Sequence, residues 1–236
     1  MKSITLKSIG VAVLMAVTLT VSAQSSETRK VSGFHGIGAS GAFNIHIKID
    51  GKEDLKITGP ADMLNEIETP VEDGILRIRF KEGYYRENNN AKIDVEISAK
   101  SLSSLTSSGA VKIEVEEGAL TGENVHIGTS GAAKITTAIK TTSFDASASG
   151  SSDLTLKGSA TSIKFSLSGA SKVFATDLKS EDAEVSISGA GTAHIYADKS
   201  ISAHMAGAGH ILYRGNATIK DVRSAGSGSV TRENGE

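Results

Sequence analysis

The sequence has no cysteine and no tryptophan, only two prolines, and aromatic residues at 4% of its 236 positions. Without cysteine there is no disulfide framework, so stability must come from packing and backbone pairing. The same absence removes the thiol that a lipoprotein anchor needs. A core this poor in aromatics must be thin, or assembled from many small side chains. An excess of positive charge is also missing: Lys and Arg number 25 against 27 Asp and Glu. That balance excludes general nucleic-acid binding, which requires a basic face. Glycine runs against the scarcity, with 25 copies.

Residues 1–23 read as a secretory signal peptide. Lys2 and Lys7 flank a polar start, Ile9 to Val21 is an apolar run, and Val21-Ser22-Ala23 offers the small residues a signal peptidase reads. The run is short for a membrane span. Cleavage would open the mature chain at Gln24. Removing Lys2 and Lys7 leaves 23 basic against 27 acidic residues, a formal charge of −4. The expected product is exported to the periplasm, cell surface or medium, with no membrane span in the mature chain.

Periodicity supplies the organisation. Ser-Gly-Ala, or a close relative, recurs with its glycine at Gly109, Gly131, Gly150, Gly169, Gly189, Gly207 and Gly226. The intervals are 22, 19, 19, 20, 18 and 19 residues, and an earlier copy carries Gly41. Four residues after each glycine stands an apolar or small residue: Ile45, Ile113, Ile135, Leu154, Val173, Ala193, Ile211 and Val230. The second, fourth and sixth residues before it are mostly apolar or small, as in Ile163/Phe165/Leu167 and Ala183/Val185/Ile187. Such alternation marks a strand with one buried face. Each unit therefore reads as strand, glycine turn, strand, polar corner. About twenty residues is too short for a helix pair and about half of a propeller blade. It suits one coil of an all-β parallel β-helix, coils of 19–20 residues stacking about 4.8 Å apart.

The eight glycines are assigned as structural turns, because two strands meeting at a corner need a residue that tolerates positive φ. Ser108, Ser130, Ser149, Ser168 and Ser188 precede five of them and would form a hydroxyl column, a structural device at most. Lys134, Asp153 and Lys172 share the third position after the glycine on consecutive coils, which predicts an aspartate stacked between two lysines.

Residues 24–100 repeat more weakly and read as a β-rich region capping the solenoid and continuous with it. Phe43–Ile49, Leu55–Thr58, Ile75–Phe80 and Lys92–Ile97 are candidate strands, and Pro60–Ile67 a helical turn or two with proline at the first position. Gly83 through Asn90 has no apolar period and reads as an exposed loop. Its Tyr84, Tyr85 and Arg86 form a candidate contact loop, since aromatic and arginine side chains anchor interfaces. Residues 101–231 are the regular coils, and 232–236 a polar tail that protects its end poorly.

The search for chemistry yields little. The six histidines show no HExxH pattern and no helical pair; His194 and His210 point outward on neighbouring coils, without a third ligand. Gly-x-Ser-x-Gly does not occur. Gly189-Ala190-Gly191 and Gly207-Ala208-Gly209 open no helix that could hold a phosphate. Acidic residues are expected mainly in the corners, at Glu114/Glu116/Glu117 and Glu181/Asp182/Glu184, without the converging pair a glycosidase needs. No catalytic, metal or cofactor residue is assigned.

Phe34-x-x-Ile37-x-x-Ser40-Gly41-Ala42, the repeated Ser-Gly-Ala units and Ile211-x-Tyr213-x-Gly215 together resemble the head GIN domain family, auto-transporter adhesin heads of exported Bacteroidetes-type proteins. The resemblance spans about residues 31–231. It implies a right-handed parallel β-helix, a cell-envelope location, an adhesive role toward an unidentified glycan or protein ligand, and no catalytic residues. An autotransporter also carries a membrane barrel; the residues after Gly226 are too few for one, so the expectation is a head without its own translocator. A periplasmic structural protein that self-associates through its solenoid ends is the alternative, and a polysaccharide-active β-helix enzyme ranks behind both.

Overall fold

The structure, a computed structural model, describes residues 24–84 and 92–233. The signal-peptide reading of residues 1–23 therefore lies outside the described residues. The alternating segments form strands of one continuous hydrogen-bonded sheet wound around a shared apolar interior, and the chain is a parallel β-helix with a leading and a trailing face, each a sheet of parallel strands. One sheet, here the leading sheet, holds the strands that run into the corner glycines. Its order is Ile75–Phe80, Gly36–Gly41, Ser104–Gly109, residues 126–131, 143–150 and 162–169, then Asp182–Gly189, Ser200–Gly207 and Thr218–Gly226, all parallel. The trailing sheet holds the strands that leave the corners, from Asp94–Ala99 and Asn44–Ile49 up to His210–Arg214 and Ser229–Arg232, also parallel.

Register is set by the glycines. Gly41, Gly109, Gly131, Gly150, Gly169, Gly189, Gly207 and Gly226 lie in one column, each paired with the next. Their φ angles fall between +83° and +134°. From Gly109 to Gly207 the amide after each glycine donates to the glycine carbonyl one coil below, as from Ala170 to Gly150 and from Ala190 to Gly169, both at 2.9 Å. A Cβ on Gly169 would stand 2.6 Å from that Gly150 carbonyl oxygen. The glycine is thus required by the turn and by the coil beneath it.

Inside the corner, two columns change size in opposite senses. Two residues after the glycine the series is Phe43, Val111, Ala133, Ser152, Ser171, Gly191, Gly209 and Gly228; two residues before it, Ala39, Ser107, Thr129, Ala148, Leu167, Ile187 and Met205. The described side chains of both columns are buried up to Met205. A Cβ on Gly209 would stand 2.7 Å from the Ile187 Cγ2. The second glycine of each Gly-Ala-Gly is therefore a void that a large neighbour fills, keeping the interior close-packed.

The stack does not follow chain order at its base. Residues 75–80 and 94–99 form a coil without a Ser-Gly-Ala corner, placed beneath the coil of residues 36–49; the chain then passes to the other side at Ser104. Below it the pairing turns antiparallel. Asp54–Pro60 pairs Asp94–Ala99, Gln24–Arg29 pairs Asp54–Pro60, and Ile67–Glu68 and Val71–Glu72 pair Ile75–Phe80. Among the described residues the one helical turn is Ala61–Leu64, with Pro60 as its N-cap residue and not its first helical position. Arg29 ties this end together, donating to the carbonyls of Leu64 (2.8 Å) and Ile67 (2.6 Å). Glu53 accepts from the Gly33 amide (2.6 Å) and pairs with Lys100 (2.5 Å). Lys100 foremost, and then the Gly33 amide, hold the Glu53 carboxyl below the ordinary carboxylate value. Arg29 does the same for Glu27. Among the described residues, no helix is long and apolar enough to cross a membrane.

Candidate ligand-contact face

Alternation that sends every second residue of a leading strand inward sends the others out. One residue before the corner the outward column is Ser40, Ser108, Ser130, Ser149, Ser168, Ser188, Ala206 and Ala225. Three residues before it the column is Gly38, Thr106, Gly128, Ser147, Ser166, Ser186, His204 and Arg223. Small side chains side by side leave a shallow trough along the stack. It widens into hollows of about 280, 450 and 580 Å³ from the N-terminal to the C-terminal end. The largest is walled by Ser166, Ser168, Ser186, Ser188, His204 and Arg223, over strands whose Leu167, Ile187 and Met205 side chains are buried on the inner side. Among the described residues these outward serine hydroxyls make no hydrogen bond, the carbonyls of Ser149 and Ser168 accepting from the buried Ser152 and Ser171 instead, so each keeps a donor and acceptor capacity for a ligand.

Charge is confined to the margins and ends of the trough. Arg77 and Arg79 stand at the N-terminal end, Arg77 against Glu72 (2.6 Å) and Arg79 against Glu68 (3.2 Å) and Glu72 (3.3 Å). The Glu68 hydrogen bond chiefly raises the Arg79 guanidinium pKa. Five residues before the corner runs a charged lane with His126 against Asp145 (2.9 Å) and Lys164 against Glu184 (2.9 Å). The Glu184 carboxylate raises the Lys164 ammonium pKa. A second concavity, about 730 Å³, lies on the trailing sheet near the antiparallel end. Its charges are largely matched within it: His46 with Glu116 (2.8 Å), Lys56 with Glu96 (3.1 Å) and Asn44 with Asp94 (3.0 Å). A ligand there would have to displace pairs already made, whereas the serine trough presents unengaged groups.

The residues singled out from the sequence fall as follows. The eight turn glycines line one edge of the trough. Lys134, Asp153 and Lys172 stack in register, but among the described residues their side chains close no ion pair, and Lys112 in the same column turns to Glu114 (3.1 Å). Tyr84 stacks on Phe80 (5.1 Å, 18°), which stacks on Phe43 (5.3 Å, 21°) beside the Gly41 corner. Tyr85 and Arg86 lie outside the described residues. His194 stacks on Phe174 (5.4 Å, 16°) and meets Glu233 (3.1 Å), while His210 meets the Ser229 hydroxyl (2.9 Å); the two histidines are not brought together. The His210–Ser229 contact has a hydroxyl and an imidazole, but among the described residues no carboxylate orients the ring as a nucleophile's base requires. Glu114 and Glu116 lie within the strand Lys112–Glu117, not at a corner. Among the described residues, no group of three His, Asp or Glu side chains could hold a metal ion.

The trough itself was missed by reading the serine column alone as a structural ladder. Its signal was the second column, three residues before the glycine, which is also small on six successive levels and shares the same outward face.

Compared with known proteins, residues 33–217 match a family described as "Putative auto-transporter adhesin, head GIN domain". A solved structure from Bacteroides fragilis, a "putative adhesin", is similar with a TM-score of 0.80 at 27% identity, covering 89% of this chain and 97% of that one. A "putative lipid binding protein" from Parabacteroides distasonis has a TM-score of 0.69 at 21% identity, covering 89% and 97%. A "putative adhesin" from Parabacteroides merdae has 0.67 at 18%, covering 89% and 96%. The last two likenesses concern the fold. No curated protein matches the sequence.

Proposed function

This chain belongs to the head GIN domain family, and from that premise we propose that it is an exported, non-catalytic binding module of the cell envelope whose ligand lies along the leading-sheet trough. Residues 1–23 direct export, and residues 24–231 form the binding body, the first part capping the coils of the second. The observation that carries the reading is the pair of small outward columns that repeats level after level. Ser, Ala and Gly lose little side-chain freedom on contact. Their hydroxyls recur about every 4.8 Å along the stack, so the surface suits a polymer of repeating polar units, such as a glycan, better than a compact small molecule. The loop that follows Tyr84 leaves beside the first corner of the trough and is a secondary contact. The Parabacteroides distasonis protein, alike in fold, is described as lipid binding, and acyl chains are therefore the competing ligand.

The test is a glycan, matrix-protein and lipid array probed with residues 24–236, followed by Ser166→Arg and Ser186→Arg. Both substitutions fill the trough from outside and leave the core untouched. The expected result is a glycan signal lost in both variants with unchanged melting. A glycan signal that survives both would move the site elsewhere; silence toward every arrayed ligand would remove the adhesive reading.

A further inference from the structure

The two ends of the stack differ in a way that binding along the trough does not explain. The antiparallel end is covered by Gln24–Arg29, the helical turn and the short strands tied by Arg29. At the other end, Thr218–Gly226 and Ser229–Arg232 each pair on one side only among the described residues. Ile219 and Val222 stand directly above Ile201 and Ala203. The lower pair is fully buried, yet Ile219 is 41% and Val222 44% exposed. They are interior residues of a coil that no described residue covers, beside a long strand whose outer edge is unpaired among the described residues, which is a template for another strand.

We propose that this end is covered by the same end of a second copy, in an antiparallel two-fold pair centred on Val222. The argument is charge register. Asp221 and Arg223 flank Val222 and both point outward, in register with Ser202 and His204. Antiparallel pairing about Val222 sets Asp221 of each copy opposite Arg223 of the other, twice, with Val222 on Val222 facing the interior. Opposite charges directly across an antiparallel pair stabilise it and like charges oppose it. In the single chain, Arg223 reaches back to Asp221 (3.0 Å) while remaining 77% exposed, so it is free to exchange partners. Such an interface is isologous and closes at two copies. Head-to-tail growth is disfavoured because the covered end offers Thr218–Gly226 only the two-residue strands Ile67–Glu68 and Val71–Glu72 on its own side. Pairing edge to edge also joins the two troughs into one surface, which would strengthen binding to a long ligand by avidity. This inference does not rest on the ligand reading: Arg223 borders the trough, but the end is read by sedimentation and cross-linking, and the trough by ligand binding of Ser166→Arg and Ser186→Arg.

Sedimentation of residues 24–236 over a wide concentration range is expected to show a dimer. Arg223→Asp, an exposed change, is expected to halve the sedimenting mass with the circular dichroism spectrum unchanged, and Asp221→Arg with Arg223→Asp together to restore the dimer. Val222→Cys places one thiol per chain in a cysteine-free background, where facing Cα atoms about 4.5–5.5 Å apart lie within disulfide reach; mild oxidation is expected to cross-link the pair. A monomer at every concentration overturns the proposal. So does a dimer that survives Arg223→Asp, a double reversal that stays monomeric, or Val222→Cys that fails to cross-link.

Discussion

Residues 24–100 and residues 101–231 contribute strands to the same two sheets, but they are held by different means. The regular coils depend on identity of position: glycine over glycine, apolar over apolar, the backbone of one level bonded to the next. Charged side chains there pair along the exposed surface, as Lys164 with Glu184 and Lys199 with Glu181. The first region breaks chain order and strand direction, and it is closed by reach, with Arg29 bonded to Leu64 and Ile67, Glu53 joined to Lys100 and Gly33, and Arg79 between Glu68 and Glu72. Aromatic stacking of Phe43, Phe80 and Tyr84 adds to it. Repetition makes a scaffold cheap to specify, but the end of a repeat has no neighbour to copy and must be finished with individual contacts.

Three measurements can break or sharpen that contrast. The largest effect is expected in the regular interior. Phe165 is fully buried and meets Phe144 edge-on at 5.8 Å; Phe165→Ala should cost about 3–5 kcal/mol in urea unfolding. A loss under about 1 kcal/mol would mean that the thin interior collapses around the gap and is not close-packed.

Next comes a matched pair of glycines. Gly169 (φ +83°) and Gly51 (φ +85°) have the same backbone conformation, but a Cβ on Gly51 meets nothing within 4 Å. Gly51→Ala should cost about 1–2 kcal/mol for conformation alone. Gly169→Ala should add a clash with the coil below and reach about 3 kcal/mol or more. Equal midpoint shifts would show that stacking contributes nothing to the demand for glycine.

The smallest effect separates the regions by pH. Glu53 and Glu27 have carboxyl pKa values depressed in the fold. Their stabilisation is therefore complete above the unfolded value of 4.5 and is lost as pH falls through the lower folded values. Amide exchange in Gln24–Arg29 and Asp54–Pro60 should accelerate over that interval while residues 163–167 stay protected, and Glu53→Gln should flatten the response. Uniform acceleration across the chain would remove the distinction.

The regular coils were legible because glycine spacing and alternation report the same register independently. The column from Ile45 to Val230 is found in the structure as read from the sequence. The coil of residues 75–80 and 94–99 was not legible as a coil. It carries no corner glycine, and nothing in a linear sequence says that a later segment lies below an earlier one. Antiparallel closure was hidden for a similar reason, since alternation in Leu55–Thr58 fixes a buried face but not a strand direction. Pro60 was placed one residue too far into the helix because its fixed φ suits both a cap and a first turn. As for the contact face, the serine column was seen, but a single column gives no surface until its neighbour is placed beside it.

The opposed series from Phe43 to Gly228 and from Ala39 to Met205 has a consequence for length. Because each corner has its own division of volume, no coil can stand in for another. A chain that slipped by one whole turn would keep glycine over glycine at the corners, yet bring bulk against bulk at one level and open a hole at the next. Copying a turn to lengthen the rod would require refitting both positions at the new corner. The number of turns is therefore written into the interior, even though the exterior pattern looks interchangeable.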